Sequence, residues 1–506
     1  MRRGFALALA LLAAGCAVGP DYEAPQAETP AEWQEPVPPG ASAETDETAL
    51  ARWWTEFDDP GLTALVEAAV AGNRDLAASV ARVREARALR EVAGADELPE
   101  VDFIGDAERS KRSVNAFLSG VDPSGPGGPS APTVQPEKRA DLHTLGLDAS
   151  WELDLFGGVR RGIEAADADL AAAREDQRAV LVSLLGEVGL SWIDARASLR
   201  RLAIARDSVR SQGETADLTR ARRDAGMADD FDVARAEALV SSTLASIPAL
   251  EERFARACHR LDVLTGRPPG AAGELLSGAT MVPPPPARVP VGLPSDLLRR
   301  RPDVRRSERR LAAATARVGV ATADLYPKFS LTGSVGQSSV DTGNLFDDDS
   351  EYWSIGLGLS WPLFNGGRLR AGIEVADARA EQALRLWESS VLVALQETHD
   401  ALVAYGREQE RRAALELSAT AQRRAADLAR QRQAAGLSDF LEVLDAERSL
   451  LSAEDLLALS EAALASNAVA LYKALGGGWE PEPPAGAGGA GAAGEGGAGA
   501  AAAGAP

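Results

Sequence analysis

Cysteine and histidine are scarce in this chain, and their scarcity narrows the possible chemistry. The 506 residues contain two cysteines and three histidines, and the histidines lie far apart without the spacing of metal ligands. The net charge of -22 argues against a nucleic-acid partner, because phosphate binding requires clustered positive potential. The sequence also lacks Walker A, GxSxG and HExxH patterns. We therefore expect no metal, no cofactor, no nucleic-acid partner and no enzymatic activity.

The apolar segment at the N-terminus is short. Arg2 and Arg3 precede FALALALLAA, a run too short to span a bilayer and typical of the middle of a signal peptide. The run ends in AAGC, which resembles the bacterial lipobox, so we predict a signal peptide over residues 1–15 and a covalent lipid on Cys16. Ala17 follows the cysteine, in place of the aspartate that retains many lipoproteins in the inner membrane. The alternative is an ordinary secretory signal with an incidental cysteine.

The sequence contains a duplication. Shifting it by 210 positions aligns Trp151 with Trp361, and the match continues without gaps as far as Gly266 and Gly476. Upstream of Trp151 the shift becomes 228, because the first half carries an insertion containing GVDPSGPGGPSAPTVQPE. Proline and glycine dominate this insertion, which predicts a surface loop at a hairpin tip. Each half is predicted to contain a helix, a strand, a loop, a strand, a long helix, a turn and a helix.

Two segments alternate between apolar and polar residues. Residues 145–155 (LGLDASWELDL) and 353–363 (WSIGLGLSWPL) each place their large apolar side chains on one face of a strand. Their length suits a tilted transmembrane strand, and their tryptophans suit the membrane interfaces. A half-buried strand in a soluble sheet is the alternative. Four transmembrane strands per chain cannot close a barrel, so closure would require several chains.

The rest of each half has the composition of very long helices. Residues 160–224 and 370–435 are rich in Ala, Leu, Arg and Glu and contain no proline. A helix from Gly162 to about Arg222 would be roughly 90 Å long. The predicted divisions of the chain are a signal peptide (1–15), an acylated N-terminal extension (16–60), a first repeat (61–266, with strands at about 99–156 and long helices at about 160–265), a linker (267–302), a second repeat (303–476, with strands at about 327–366 and long helices at about 370–475) and a disordered Gly/Ala-rich tail (477–506).

Several motifs carry a family resemblance over nearly the whole chain. CAVGPDYEAP, the run around RRRPDV, SWPLFNGGRLRAGIE and AAGLSDFLEVLDAERSLLSAE resemble the TolC-type outer-membrane factors, in particular the NodT-like efflux lipoproteins. The resemblance implies a mainly α-helical protein with a membrane β-barrel, in which a homotrimer builds one α-helical tunnel and one shared 12-stranded barrel. Closure alone would also allow a dimer, so the choice of three chains depends on the resemblance.

The same resemblance implies a function and a location. The protein would be a lipoprotein of a Gram-negative outer membrane that extends into the periplasm. It would form the passive exit duct of a tripartite efflux (RND-type) or secretion system, with a periplasmic adaptor and an inner-membrane pump as partners. The alternative is a lipid-anchored periplasmic structural protein without transport activity.

The candidate site residues lie around two glycine turns, AGMADDFD and AGLSDFLE. Glycine at the end of a long helix permits the left-handed conformation that reverses the chain. Leu441 and Asp445, four residues apart on one helical face, match the LxxxD pattern of the family, which implies a gate at the periplasmic mouth. The alternative is that Asp445 simply faces solvent. Arg235 is the first-repeat counterpart of Asp445, so an ion pair between them is possible. The predicted adaptor-docking tip comprises Gly226, Asp229, Gly436, Ser438 and Asp439.

Overall fold

Long helices and one antiparallel sheet account for most of the described chain. The computed structural model describes residues 17–480 except 112–138, 277–280 and positions 35, 36, 43, 45 and 287. Cys16, most of the insertion loop and most of the Gly/Ala-rich tail lie outside these residues. The main strands are β1 (Glu100–Lys111), β2 (Arg139–Leu153), β3 (Lys328–Ser339) and β4 (Glu351–Ser360), and the main helices are α1 (Pro60–Gly72), α2 (Arg74–Ala95), α3 (Gly158–Asp224), α4 (Asp230–Leu264), α5 (Pro302–Ala323), α6 (Arg368–Ala434) and α7 (Phe440–Ala474).

Shorter elements fill the connections. They are the helices Glu47–Ala51, Ala272–Leu276 and Leu297–Arg300, the 3-10 turns Trp53–Phe57, Pro294–Asp296, Thr342–Asn344 and Asp348–Ser350, and the paired strands Ala41–Ser42 and Val289–Pro290.

The duplication is confirmed element by element. Helices α3 and α6 each contain 67 residues and begin 210 positions apart, and α4 and α7 each contain 35 residues at the same offset. Helices α2 and α5 each contain 22 residues and begin 228 positions apart, as do the 12-residue strands β1 and β3. The long helices begin two residues before the predicted segments 160–224 and 370–435 and are about 100 Å long at 1.5 Å per residue. Equal lengths indicate that the same local signals begin and end each element in both halves.

The sheet has one apolar and one polar face. Its strand order is β1-β2-β3-β4, and all neighbours are antiparallel. Directly paired residues share a face, and one apolar row across the sheet consists of Phe103, Leu147, Val335 and Trp353. The adjacent row, which points to the other face, consists of Asp102, Asp148, Ser334 and Ser354. The apolar row is exposed in the single chain, where Phe103 and Trp353 each keep 72% of their surface accessible.

Two strands end earlier than the alternating pattern predicts. Strand β2 ends at Leu153, two residues before the end of the predicted segment, and the amide of Leu155 bonds the carbonyl of Leu153 in a tight turn. Strand β4 ends at Ser360, so Trp361 and Leu363 lie outside the ladder. Proline follows Trp361, and proline cannot donate a hydrogen bond to a neighbouring strand. Alternation alone does not detect such a break.

Two compact units organise the described residues, and each draws on both repeats. The first contains residues 17–29, 74–180 and 302–394 and includes the four-stranded sheet; the second contains residues 30–73, 181–301 and 395–480. Helices α3 and α6 contribute residues to both units. Within the described residues, every helix is too short or too polar to cross a bilayer.

Aromatic side chains form part of the core of the second unit. Trp53 stacks on Tyr472 with 5.7 Å between ring centroids, and Phe57 lies edge-on to Trp192 at 6.4 Å. All four side chains are buried. Burial of large aromatic surface fixes the 3-10 turn that contains Trp53 and Phe57 against α3 and α7.

Candidate gate and docking tip

Both helix reversals are built around a left-handed glycine. Gly226 has φ +76°, and the amide of Met227 donates to the carbonyl of Arg222 at 2.8 Å. Gly436 has φ +69°, and the following amide makes the equivalent bond at 2.8 Å. This is the helix ending that the two AG sequences predict, with glycine at the position where a side chain would be strained.

Aspartates begin the helices after the two turns. The carboxylate of Asp229 accepts a hydrogen bond from the amide of Asp232 at 2.9 Å, and that of Asp439 accepts one from the amide of Phe440 at 2.6 Å. The hydroxyl oxygen of Ser438 is buried without a hydrogen-bond partner in the described part of the chain. All five predicted tip residues therefore lie in the two reversals, and two of them cap helices.

A small apolar cluster holds the beginnings of α4 and α7 against the end of α3. Its buried members are Ala216, Ala236, Phe440 and Leu444, with further cover from side chains of α4. Phe440 and Leu444 lie four residues apart and so occupy one face of α7. The cluster determines which face of α7 points inward at the tip.

The predicted gate residues lie on an exposed face of α7, about 100° around the helix from Phe440 and Leu444. The Asp445 carboxylate accepts a hydrogen bond from the Arg448 guanidinium at 2.8 Å, and both side chains are largely exposed. Leu441 is also on the exposed surface. Arg235 instead lies over the ring of Phe231 at 5.4 Å, so the Asp445 pairing considered from the repeat is made by Arg448. This placement agrees with both the gate hypothesis and the solvent-facing alternative.

Sequence reasoning missed a buried carboxylate two residues beyond Asp445. Glu447 is only 4% exposed, and its Oε1 accepts hydrogen bonds from Ser211 Oγ (2.9 Å), Thr215 Oγ1 (3.2 Å) and Arg430 Nε (3.2 Å). We call these four residues the Glu447 network. The available signal was a pair of hydroxyl residues four apart on α3, but their partner on another helix could not be read from the sequence.

A second site that the sequence did not predict binds the N-terminal segment of the chain. The Arg161 side chain is 5% exposed and donates to the carbonyls of Val18 (3.2 Å) and Gly19 (3.4 Å) and to the carboxylate of Asp21 (2.6 Å). Gly319 permits this approach, because a Cβ built there would lie 2.8 Å from the Arg161 side chain. We call this arrangement the N-terminal contact site.

The residues directly after Cys16 lie where β2 gives way to α3. The amide of Val18 donates to the carbonyl of Phe156 at 3.0 Å, and a Cβ built on Gly157 would lie 2.6 Å from the Cα of Ala17. Gly157 has φ +82°, so a side chain is disfavoured there by conformation as well as by space.

Comparison with known proteins gives consistent matches over most of the chain. The family model described as outer membrane efflux protein matches residues 65–267 and 293–477. The chain is 34% identical over 480 residues to nodulation protein T of Rhizobium leguminosarum bv. trifolii (94% of this chain, 97% of the relative). It is 35% identical over 455 residues to the pyoverdine export outer membrane protein OpmQ of Pseudomonas putida (90% and 93%). Its structure is similar to that of the outer-membrane channel OprN, with a TM-score of 0.82 and 39% identity over 92% of this chain and 100% of that one.

Proposed function

Because the chain belongs to the outer membrane efflux protein family, we propose that it forms the exit duct of a tripartite efflux or secretion system. It is an efflux outer-membrane channel. In our proposal a periplasmic adaptor connects it to an inner-membrane pump, and small molecules pass through it without energy input of its own. The sheet is the observation that carries the proposal, since its apolar face is exposed and the same chain supplies two helices of 67 residues each.

The proposed duct requires more than one copy of the chain. The outer strands of the sheet, β1 and β4, each leave one edge unpaired among the described residues of the single chain. Unpaired backbone groups within hydrocarbon cost several kcal/mol each, so the edges must meet. We propose a homotrimer, in which three sets of four strands give twelve, and the number three rests on the family.

The helices directly connected to the four strands lie in the same order as the strands. Ion pairs join α2 to α3 (Arg90 to Asp167, 2.9 Å) and α3 to α5 (Arg306 to Asp176, 2.7 Å). A hydrogen bond of 2.7 Å between two serine hydroxyls joins α5 to α6. Helices α2 and α6 are therefore the outer ones, like strands β1 and β4. In the proposed ring, α6 of one copy meets α2 of the next.

A planar bilayer containing the purified protein tests the proposed function. We expect ohmic single-channel currents, and we expect a deletion strain to become hypersensitive to drugs or dyes that the intact strain exports. A correctly assembled protein that conducts no ions, together with unchanged drug sensitivity of the deletion strain, would instead support the structural alternative.

We propose that Cys16 carries a covalent lipid and that the N-terminal contact site positions it. Two observations support this. The residues after Cys16 lie at the end of β2, the strand whose Trp151 suits a membrane interface. The duplication does not repeat the contact site, because the counterpart of Arg161 is Ala371 and the counterpart of Gly319 is Glu91. Within the described residues the site therefore occurs once, where the N-terminal segment lies.

Mass spectrometry of the mature N-terminal peptide is expected to show a lipid adduct on Cys16. Cys258 should stay unmodified, because it is buried and burial raises the pKa of its thiol to about 11. The Cys16→Ser variant is the control and should lose the adduct. An unmodified wild-type peptide that begins at another residue would refute the proposal.

We propose that the two reversals form the docking tip for the adaptor. Asp439→Ala removes a helix cap, which costs about 1 kcal/mol, and Gly436→Ala strains the turn by a similar amount. Both variants are expected to lower efflux in cells, measured as drug tolerance, while the purified channel conducts normally. Asp207→Ala, which removes an exposed aspartate of α3 outside the two reversals, is the control and should leave tolerance unchanged. Normal tolerance in both tip variants would argue against docking at these turns.

A further inference from the structure

The Glu447 network places a carboxylate where the helix pattern calls for an apolar residue. Phe440, Leu444 and Glu447 follow the i, i+4, i+7 spacing of one helical face, and all three are buried. A buried carboxylate costs free energy unless it is paired and hydrogen-bonded. Its Oε1 has three donors, whereas its Oε2 is buried without a hydrogen-bond partner among the described residues. Hydrophobic packing alone would not select this residue.

The duplication supplies an internal comparison. Glu237 and Arg220 are the first-repeat counterparts of Glu447 and Arg430, and they form the same ion pair, with Arg220 Nε 2.9 Å from Glu237 Oε1. The Glu237 side chain, however, is half exposed in the single chain. The ion pair between the long helix and the following tip helix is therefore shared by both repeats, and the burial at Glu447 is not.

The difference lies in the neighbouring long helix. Ser211 and Thr215 of α3 supply hydroxyl donors to Glu447, and the residues at the corresponding positions of α6 are Ala421 and Ala425. The Arg430 guanidinium also donates to the Ser211 hydroxyl at 2.9 Å, which closes the network. The tip helix of the second repeat thus has a buried polar connection to the long helix of the first repeat.

We propose that Glu447 is a positioning residue for the gate and that its bonds to α3 set the orientation of Leu441 and Asp445. Successive helical residues are about 100° apart, so Asp445 lies about 200° around α7 from Glu447. When Glu447 faces α3, the gate face points away from α3. Directional hydrogen bonds fix rotation and register, which apolar packing specifies less strictly.

The inference rests on the proposed gate, and it implies that α7 breaks this network when the mouth opens. Weakening the network then favours the open state without any change in the gate residues. The effect is a shift between the closed and open populations, so its size depends on how much of the interaction between Glu447 and α3 is lost.

Single-channel recording of the full-length protein tests the inference. Glu447→Ala is expected to raise the open probability at least about fivefold, the order of shift that follows from losing hydrogen bonds to a charged group. Ser211→Ala with Thr215→Val removes the same bonds from the other side and should have the same effect. A variant that combines all three substitutions should have nearly the same open probability as either variant alone, because Glu447 and the α3 hydroxyls act through one interaction. Glu237→Ala is the matched control from the first repeat and should gate like wild type.

The outcomes separate this inference from the gate assignment. Wild-type gating in both Glu447→Ala and the α3 double variant overturns the inference, and a raised open probability in Glu237→Ala does so as well, because it shows a general effect of losing a tip carboxylate. If the gate variant Leu441→Ala with Asp445→Ala conducts more while the network variants do not, the inference fails and the gate stands. If none of the variants changes conduction, both fail. The α3 double variant keeps the test decisive if Glu447→Ala does not assemble.

Discussion

Replacing Leu386 with aspartate is expected to prevent assembly of the channel. Leu386 lies on α6, one of the two outer helices of the first unit, and is 68% exposed in the single chain. Its counterpart on α3 is Asp176, which pairs with Arg306 of α5 at 2.7 Å. The contact between α3 and α5 is therefore charged, whereas the same position on the outer helix is a leucine.

The duplication indicates what Leu386 would meet in a closed ring. The counterpart of Arg306 on α2 is Ala78, so a contact between α6 and α2 of the next copy would replace the Asp176–Arg306 pair by Leu386 and Ala78. Leu89, another exposed apolar residue on α2, likewise corresponds to Arg317, which is paired with Asp169 in the chain. At positions 78, 89 and 386 the outer helices therefore carry apolar residues where the contacts within the chain are charged, which suits an interface between copies.

The expected loss of trimer is large because each interface between copies in the ring contains the substituted residue. Burial of a leucine contributes about 1.5–3 kcal/mol, and an unpaired buried carboxylate costs several kcal/mol more. A loss of about 1.4 kcal/mol already lowers an association constant tenfold. Native mass spectrometry of Leu386→Asp is therefore expected to show less than about a tenth of the wild-type trimer.

Two further variants test whether the loss comes from this contact. Leu386→Met keeps volume and polarity and should assemble normally. Leu386→Asp combined with Ala78→Arg recreates across copies the ion pair that Asp176 and Arg306 make within the chain, and it should restore part of the trimer. Normal trimer formation by Leu386→Asp alone would show that α6 and α2 do not meet in this way.

Most of the fold was accessible from the sequence because its determinants are local and occur twice. The helix-favouring composition, the glycine turns and the period-two strands act over short distances, and each prediction could be checked against its copy 210 or 228 positions away. The ends of β2 and β4 were less accessible. They depend on a tight turn and on Pro362, which interrupt the ladder while the alternation of side chains continues.

The candidate site was only partly accessible. The turns at Gly226 and Gly436 follow from backbone conformation, and the sequence therefore placed them correctly. The Glu447 network and the N-terminal contact site join residues more than 100 positions apart, such as Thr215 with Glu447 and Arg161 with Val18. A single sequence does not show which of these distant residues contact one another. The one sign in the sequence is that these positions differ between the two repeats, as Arg161 and its counterpart Ala371 do.

The proposed gate is expected to open when Leu441 and Asp445 are replaced together. Three copies of Asp445 around a narrow axis would repel one another, and the Arg448 guanidinium at 2.8 Å supplies the cation that reduces this repulsion. Three copies of Leu441 would add an apolar constriction. Leu441→Ala with Asp445→Ala should therefore raise single-channel conductance several-fold, measured in a planar bilayer with protein shown to be trimeric.

Two comparisons distinguish the gate from an aspartate that merely faces solvent. The first-repeat counterparts of Leu441 and Asp445 are Phe231 and Arg235, and their double alanine variant should conduct like wild type. Arg448→Ala leaves the three carboxylates without their neighbouring cation, so it should raise conductance most at low ionic strength, where the Debye length exceeds about 10 Å. A solvent-facing Asp445 predicts no change in either the gate variant or Arg448→Ala. Wild-type conductance of the Leu441→Ala, Asp445→Ala trimer would therefore exclude these residues as the gate.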